Sequence, residues 1–379
     1  PFQTIIDSVN ANLNTNAAIW SVRLRSFNAI GNPTFEVDQR TAGAGVVISG
    51  TTAFGCDRWR TQLGGTMVAT AQQIVSNTAV QGTNFWISHQ IFRITLTTAQ
   101  ASLGVNDFLE FWQHIEGPQL RELYNDVHSI SILVRSSIPN LTFGISLTDP
   151  TGTRALGKLC TTSATPNTWT LIPLANLPAF PPAGTFGLNP GAAGYVLNVC
   201  LAGGTSRVMP ANDTWQSTSA FIPAGIDNFA SKPVNSTFDV AYISHEPGSL
   251  ASNPPMDSSF RDNYEACQRY FQKSVPYGSL PLSGTSQHIV GCLVATTVAT
   301  TAVRPAVAFK KTLAKPPTAI LQYNGVANTA YLETIGSAGV GSVTASDSEI
   351  TGITLASAQT VAANNIPNLF GGWYADTGW

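Results

Sequence analysis

Between residue 35 and about residue 250 the chain keeps one rhythm. Short runs rich in Val, Ile, Thr and aromatic residues alternate apolar and polar positions, and each run is closed by Gly, Pro, Asn or Asp. A period of two puts alternate side chains on opposite faces of a strand, so such a pattern leaves few folds open. Strands are expected at 46–50, 86–97, 108–117, 129–137, 141–149, 169–174, 194–203 and 236–246, and 66–73 fits either strand or loop. The run 108–117 is unusual. Phe108, Glu110, Trp112 and His114 fall on one side, and Leu109, Phe111, Gln113 and Ile115 on the other. Bulk on both faces predicts a strand in the interior of a sheet. The Pro- and Gly-rich stretches 179–194 and 246–255 read as exposed loops. Together these features predict an all-β fold, a β-sandwich of jelly-roll-like design.

One segment breaks the rhythm. In 260–273, Tyr264, Cys267 and Phe271 fall at helical spacing, Asp262 is placed to cap, and Lys273 suits a last turn. The pattern predicts one short helix near 260–273, packed on a sheet. Strands resume over 286–326, and no repeat of 20–50 residues marks a solenoid or propeller. The expected organisation is an N-terminal arm or attachment segment over 1–34, with a strand signal at 19–27. A β-sandwich domain that includes the helix covers 35–326. A C-terminal segment rich in Ala, Gly, Ser and Thr covers 327–379 and is expected to complete the sheet or an inter-subunit contact.

Composition then excludes several functions. Only 11 % of the chain is charged, against ~25 % in ordinary soluble domains. The 19 Lys and Arg against 21 Asp and Glu give a net charge of −2. The longest basic cluster is Lys310-Lys311, so neither phosphate-backbone binding nor polybasic membrane attachment is expected. No stretch of 18 apolar residues predicts a membrane span, and the first residues, Pro1 onward, do not read as a signal peptide. Cys56, Cys160, Cys200, Cys267 and Cys292 are odd in number and widely spaced. They read as buried free thiols rather than a disulfide framework or zinc site, in a chain made in a reducing compartment.

A series of local motifs resembles a β-sandwich domain that recurs in virion proteins of tailed bacteriophages, of tail-fibre and head-fibre type and often described as carbohydrate-binding-like. The first block runs from Asn32 to Arg40, followed by Asp57-Arg58-Trp59. Gln113-His-Ile-Glu116-Gly117 comes next, then Leu133 to Ser137 with Thr142-Phe-Gly144, then Asn167-Thr-Trp169. The most specific block is Asn263 to Lys273, with Cys267-Gln268-Arg269-Tyr270-Phe271 at its centre, and a later strand element lies at 309–318. The resemblance spans about 32–325. The strand before the helix departs from the pattern: Val240 to Gly248 stands where a V-Q-L-E-x-G-like run is usual.

The resemblance implies a structural component of a phage particle, a fibre, decoration or spike protein, assembled in the host cytoplasm. Its partners are other virion proteins and copies of itself, a trimer by family habit, with a contribution to host attachment. A dedicated glycan-binding receptor protein and a polysaccharide depolymerase or glycosidase remain the alternatives. No cofactor and no metal is implied.

No catalytic constellation stands out. His89, His114, His128, His245 and His288 are scattered, and neither a zinc-protease spacing nor a nucleophile elbow occurs. A glycosidase needs two carboxylates at a set separation. Glu110 and Glu116 share a strand face with Asp107 nearby, but lie ~20 Å apart at ~3.3 Å per residue. Glu116 is better read as fastening a strand end. Asp57, Arg58 and Trp59 likewise read as core plug and fastener. A sugar site needs an aromatic face and convergent polar groups. Trp215, Trp169 and Asp213, in turn-rich surroundings, are the candidate glycan contacts. Trp20, Trp373 and Trp379, near the termini, need another chain to be buried.

Overall fold

The computed structural model describes residues 27–75, 90–251, 260–274, 276–279, 309–316 and 374–378, together with the backbone of strands between 306 and 373. Two six-stranded antiparallel sheets form a sandwich. Sheet A has the order β1 (Val46–Ile48), β4 (Val68–Val75), β5 (Gln90–Thr98), β12 (Thr237–Pro247), β7 (His128–Ser136) and β10 (Thr170–Leu177). Sheet B has the order β2 (Thr52–Cys56), β3 (Trp59–Gly64), β6 (Phe108–Glu116), β11 (Ala193–Gly203), β8 (Thr142–Thr148) and β9 (Ala155–Thr161). From β9 to β12 the chain changes sheet at every step, which gives the jelly-roll character expected.

The period-two pattern explains the core. Trp59, Thr61 and Leu63 point inward from β3, and Leu109, Phe111 and Ile115 from β6. They meet Phe92, Ile94, Phe238 and Val240 of sheet A. Aromatic rings stitch the sheets together, Phe92 to Phe111 at 5.3 Å and Phe143 to Phe238 at 5.0 Å, and Phe35, ahead of β1, packs on Trp59 at 5.2 Å. Burying each such side chain contributes about 2 kcal/mol. Strand β6 lies between β3 and β11, as its bulk on both faces predicted. The 66–73 run is resolved as strand β4, because its small inward residues Ala69 and Ala71 pack beneath the aromatic rings.

Two readings need correction. The helical block is half helix: α2 spans Phe260–Cys267, and Phe271–Lys273 is strand β13, paired with β21 (Gly372–Asp376). A one-and-a-half-turn helix, α1 (Gly117–Arg121), follows β6, with Pro118 at its first turn. The runs 129–137 and 141–149 form β7 and β8, which belong to opposite sheets.

Beyond residue 305, β13, β21, β15 (Thr318–Tyr323) and β16 (Val326–Ala327) form a four-stranded sheet. Strands β14 (Ala306–Ala308), β19 (Gly352–Ser357), β18 (Ser337–Ser348), β17 (Thr329–Thr334) and β20 (Asn368–Phe370) form a five-stranded one. Four of the cysteines, Cys56, Cys160, Cys200 and Cys267, are buried free thiols. Cys292, His89, His288, Trp20, the strand signals at 19–26 and 286–305, Trp379 and the side chain of Trp373 lie outside the described residues. Among the described residues no helix is long and apolar enough to cross a membrane.

Candidate functional site

The motif residues converge on one internal seam. Asp57 and Arg58 form the tight turn between β2 and β3, with Arg58 at φ +74°. The carboxylate of Asp57 accepts from the Gln39 side chain at 2.7 Å and from Arg40 at 3.4 Å. Burial pushes it up to about 6 against the pull of Arg40. Trp59 donates its indole N–H to the Asn32 carbonyl at 3.2 Å. The side chain of Gln113, buried in the core, pairs with both the N–H and the carbonyl of Gly31 at 2.7 Å each.

Glu116, at the end of β6, is the seam's anchor. It accepts two bonds from Arg269 at 2.9 and 2.5 Å, the Tyr270 hydroxyl at 3.0 Å and the Gly191 N–H at 2.8 Å. Burial alone would raise its carboxyl; these donors outweigh burial and hold it below the ordinary value. Gln268 and Phe271 lie buried beside them, and Phe271 takes the Arg40 guanidinium at 4.4 Å from its ring. Cys267, also buried, closes α2. The motif therefore docks the α2–β13 segment onto sheet B. It leaves few polar groups for a ligand, as the fastening role read for Asp57, Trp59 and Glu116 implies.

A different arrangement lies on the outer face of sheet B. Antiparallel register sets Arg60 of β3 opposite Trp112 of β6, and Trp112 opposite Asn198 of β11. One step along, Gln62, Glu110 and Cys200 form the next row. On the β8–β9 side this face is covered by the loop from Gly204 to Asp227, whose Met209, Ile222 and Pro223 pack down on the sheet. Gly144 and Gly157 make that close approach possible, since a Cβ at either would meet Pro223 or Met209. On the β3 side the C-terminal residues close in, with Arg60 donating to the Gly378 carbonyl at 2.9 Å.

Between these covers runs a strip where Trp112 and His114 are half-buried, their rings 4.9 Å apart edge to face. At its end sits Glu110, 6 % exposed, with Oε2 lacking any hydrogen-bond partner among the described residues. Burial pushes its carboxyl up to about 8, only partly opposed by Arg207. At the other end of the strip, past Trp112, burial and then the charges of Arg58, Arg60 and Lys315 hold the His114 imidazole down at about 4, so it is neutral near pH 7. A protonated carboxyl beside an indole can exchange a hydrogen bond with a hydroxyl group over an apolar face, while the Asn198 amide already donates to the Ser146 hydroxyl at 3.1 Å.

The three candidate glycan contacts do not meet. Trp215 sits on the covering loop, half-buried against Phe180 at 5.2 Å and Phe186 at 5.6 Å, with its indole N–H on the Pro178 carbonyl at 3.3 Å. Asp213, on the same loop, pairs with Lys158 of β9 at 2.6 Å. Trp169 is 7 % exposed on the outer face of sheet A, 4.7 Å under the Arg135 guanidinium, and its N–H has no acceptor among the described residues. Sequence reasoning did not select Trp112 as a contact. The signal was present: it stands on the same strand face as Glu110 and His114, the one row of β6 that mixes aromatic and titratable residues. One further titratable cluster is internal: Tyr195 to His245 at 2.6 Å and His245 to His128 at 2.8 Å, both imidazoles held neutral by burial.

No protein-family model matches the chain, and no curated protein does. Among solved structures it is similar to TmCBM61 in complex with β-1,4-galactotriose, with a TM-score of 0.31 and 9 % identity over 59 % of this chain and 99 % of that one. It is also similar to a CBM4 structure, with a TM-score of 0.26 and 10 % identity over 57 % and 99 %. A third is the enzymatically active domain of bacteriophage CBA120 tailspike protein 4, with a TM-score of 0.28 and 11 % identity over 58 % of this chain and 21 % of that one. These neighbours are carbohydrate-binding modules and a phage tailspike domain. At such scores the likeness carries no argument about a ligand, and the functional reading rests on the residues of this chain.

Proposed function

We propose that this chain is a carbohydrate-binding, non-enzymatic component of a tailed-phage particle, a fibre, decoration or spike protein that works beside copies of itself and other virion proteins. The outer-face strip of sheet B recognises host-surface glycan. The observation that carries the binding role is Glu110: a buried carboxyl with one oxygen, Oε2, left without a partner among the described residues, two positions along the strand from a half-open indole. Leaving such a group unsatisfied costs about 1–3 kcal/mol, and a sugar hydroxyl is the acceptor or donor that would satisfy it. The ordered motifs from Asn32 to Phe271 support the virion assignment.

A hydrolase reading is less well supported, because a glycosidase needs a second carboxylate facing the first. On this face the other carboxylate of β6, Glu116, is saturated by four donors. The test is a host-surface glycan array probed with the native oligomer, alongside protein analysis of purified particles. Expected are glycan binding without release of reducing ends, and the chain as a stoichiometric particle component. An array with no bound glycan overturns the binding role, and a chain found only in lysate overturns the virion role.

A further inference from the structure

Trp112 does not stand alone on its sheet. Antiparallel register lines up Phe54 of β2, Arg60 of β3 and Trp112 of β6 in one row on the outer face of sheet B. Period two decides this, since the alternate residues Trp59 and Thr61 are buried in the core. Within the row the Arg60 guanidinium lies over two rings, 4.5 Å from the centre of Phe54 and 5.3 Å from that of Trp112. Its Nη2 donates to the Gly378 carbonyl at 2.9 Å, and its Nε has no hydrogen-bond partner among the described residues. Two rings and a carbonyl suit a guanidinium, which is planar and more weakly hydrated than an ammonium.

The row continues past the edge of the sheet. Arg40, from the loop before β1, lies 3.8 Å over the same Phe54 ring and 4.4 Å over Phe271 of β13. Asp376 of β21 accepts from Arg40 at 2.6 and 3.3 Å and from the Gly378 N–H at 2.7 Å. Thr377 donates its N–H to the Tyr270 carbonyl at 2.9 Å. Burial lowers the Arg60 guanidinium from its ordinary value; the charge of Asp376 opposes that, and Arg40 adds to it. Rings and guanidinium groups thus alternate from the docked C-terminal strand to the strip, in the order Phe271, Arg40, Phe54, Arg60, Trp112. A side chain on an open sheet face has several staggered positions. A guanidinium laid on the indole and anchored from behind leaves it fewer.

We propose that Arg60 is the positioning residue of the glycan site: held by the C-terminal strand through Gly378 and Asp376, it fixes the Trp112 indole in the orientation that a sugar ring meets. This role rests on the glycan-binding reading and adds to it the residues outside the strip that prepare its aromatic face. An indole ordered in advance spares the ligand the cost of ordering it.

The test uses the native oligomer labelled with 5-fluorotryptophan, with Trp112 identified by fluorine NMR as the signal lost in Trp112→Phe. Arg60→Gln removes the cation and Arg60→Lys keeps one. Asp376→Asn leaves Arg60 in place and weakens its anchor. Melting curves accompany all three. The Trp112 signal, single in the parent, should broaden or double in Arg60→Gln and in Asp376→Asn and sharpen again in Arg60→Lys. The signals of the buried Trp59 and Trp169 should stay in place, whereas a general loosening of the fold would move them too. The best glycan bound by the parent should bind Arg60→Gln about three- to tenfold more weakly, the range for one side chain left to be ordered by the ligand, and Arg60→Lys should recover part of that. A Trp112 signal unchanged in both Arg60→Gln and Asp376→Asn overturns the positioning role, as does parent-like glycan affinity in a folded Arg60→Gln. A parent that binds no glycan overturns the glycan reading, and the fluorine signal then decides by itself whether Arg60 orders Trp112.

Discussion

Glu110 is the residue whose behaviour most directly reports the state of the strip. Its folded carboxyl titrates at about 8, raised by burial, whereas an unfolded glutamate titrates near ~4.3. The folded state therefore holds this proton more tightly. The stabilisation from Glu110 is complete below the unfolded value and is lost as pH rises towards 8. Asp57, raised to about 6 by burial, adds the same trend at lower pH. His128 and His245, lowered by burial, act in the opposite sense as pH falls below ~6.5. Between pH 6.5 and 8 the change belongs mainly to Glu110; above that the thiols of Cys56, Cys160, Cys200 and Cys267, raised by burial, add the same trend to parent and variant alike. Glu110→Gln should gain melting temperature over the parent at pH 8.5 and little at pH 5. Melting curves across that range check it; a constant offset at every pH would show that Glu110 is not buried as a protonated acid.

At the scale of elements, the Glu116–Arg269–Tyr270 contacts fix how α2 and β13 dock on sheet B. Arg269→Ala leaves Glu116, 1 % exposed, without its counter-charge. Removing one member of a buried pair costs about 3–5 kcal/mol, and the partial exposure of Arg269 places the expected loss near the lower value. Denaturant unfolding should show that loss, and Arg269→Lys should recover part of it, since one donor replaces a two-pronged fork. A loss below about 0.5 kcal/mol would mean that the seam is held by other contacts. This is also where the sequence was only half legible. Tyr264, Cys267 and Phe271 fit a helical face, yet Phe271 belongs to a strand whose partner, Gly372–Asp376, lies about a hundred residues downstream. Periodicity reports local preference and is silent about a pairing of that reach.

The sandwich itself was legible because its strands are amphipathic with period two, and burial of one face decides the register. The site was not, for a reason seen in Trp112 and Trp215. Trp215 sits among polar residues and Trp112 in a run with bulk on both faces, so local sequence favours the first as the open one, and it cannot tell a tryptophan at a loop's root from one on an open sheet face. That difference depends on what the Gly204–Asp227 loop covers, and so on tertiary packing. Charge scarcity also has a place in the whole molecule. Val47 is 63 % exposed on the edge strand β1, and Leu159 is 41 % exposed on the edge strand β9. Apolar, weakly charged edges are surfaces that neighbours in an assembly protect, in keeping with the proposed oligomer.

The central claim is that recognition belongs to the outer face of sheet B, while the tryptophan on the covering loop is structural. The most direct measurement is glycan binding by Trp112→Ala and Trp215→Ala, each as folded oligomer, against the best glycan bound by the parent. Loss of an indole stacking face should weaken binding at least tenfold in Trp112→Ala, whereas Trp215→Ala should bind within about twofold of the parent and melt at a lower temperature. Binding retained by Trp112→Ala and lost by a folded Trp215→Ala would contradict the account and move the site to the loop.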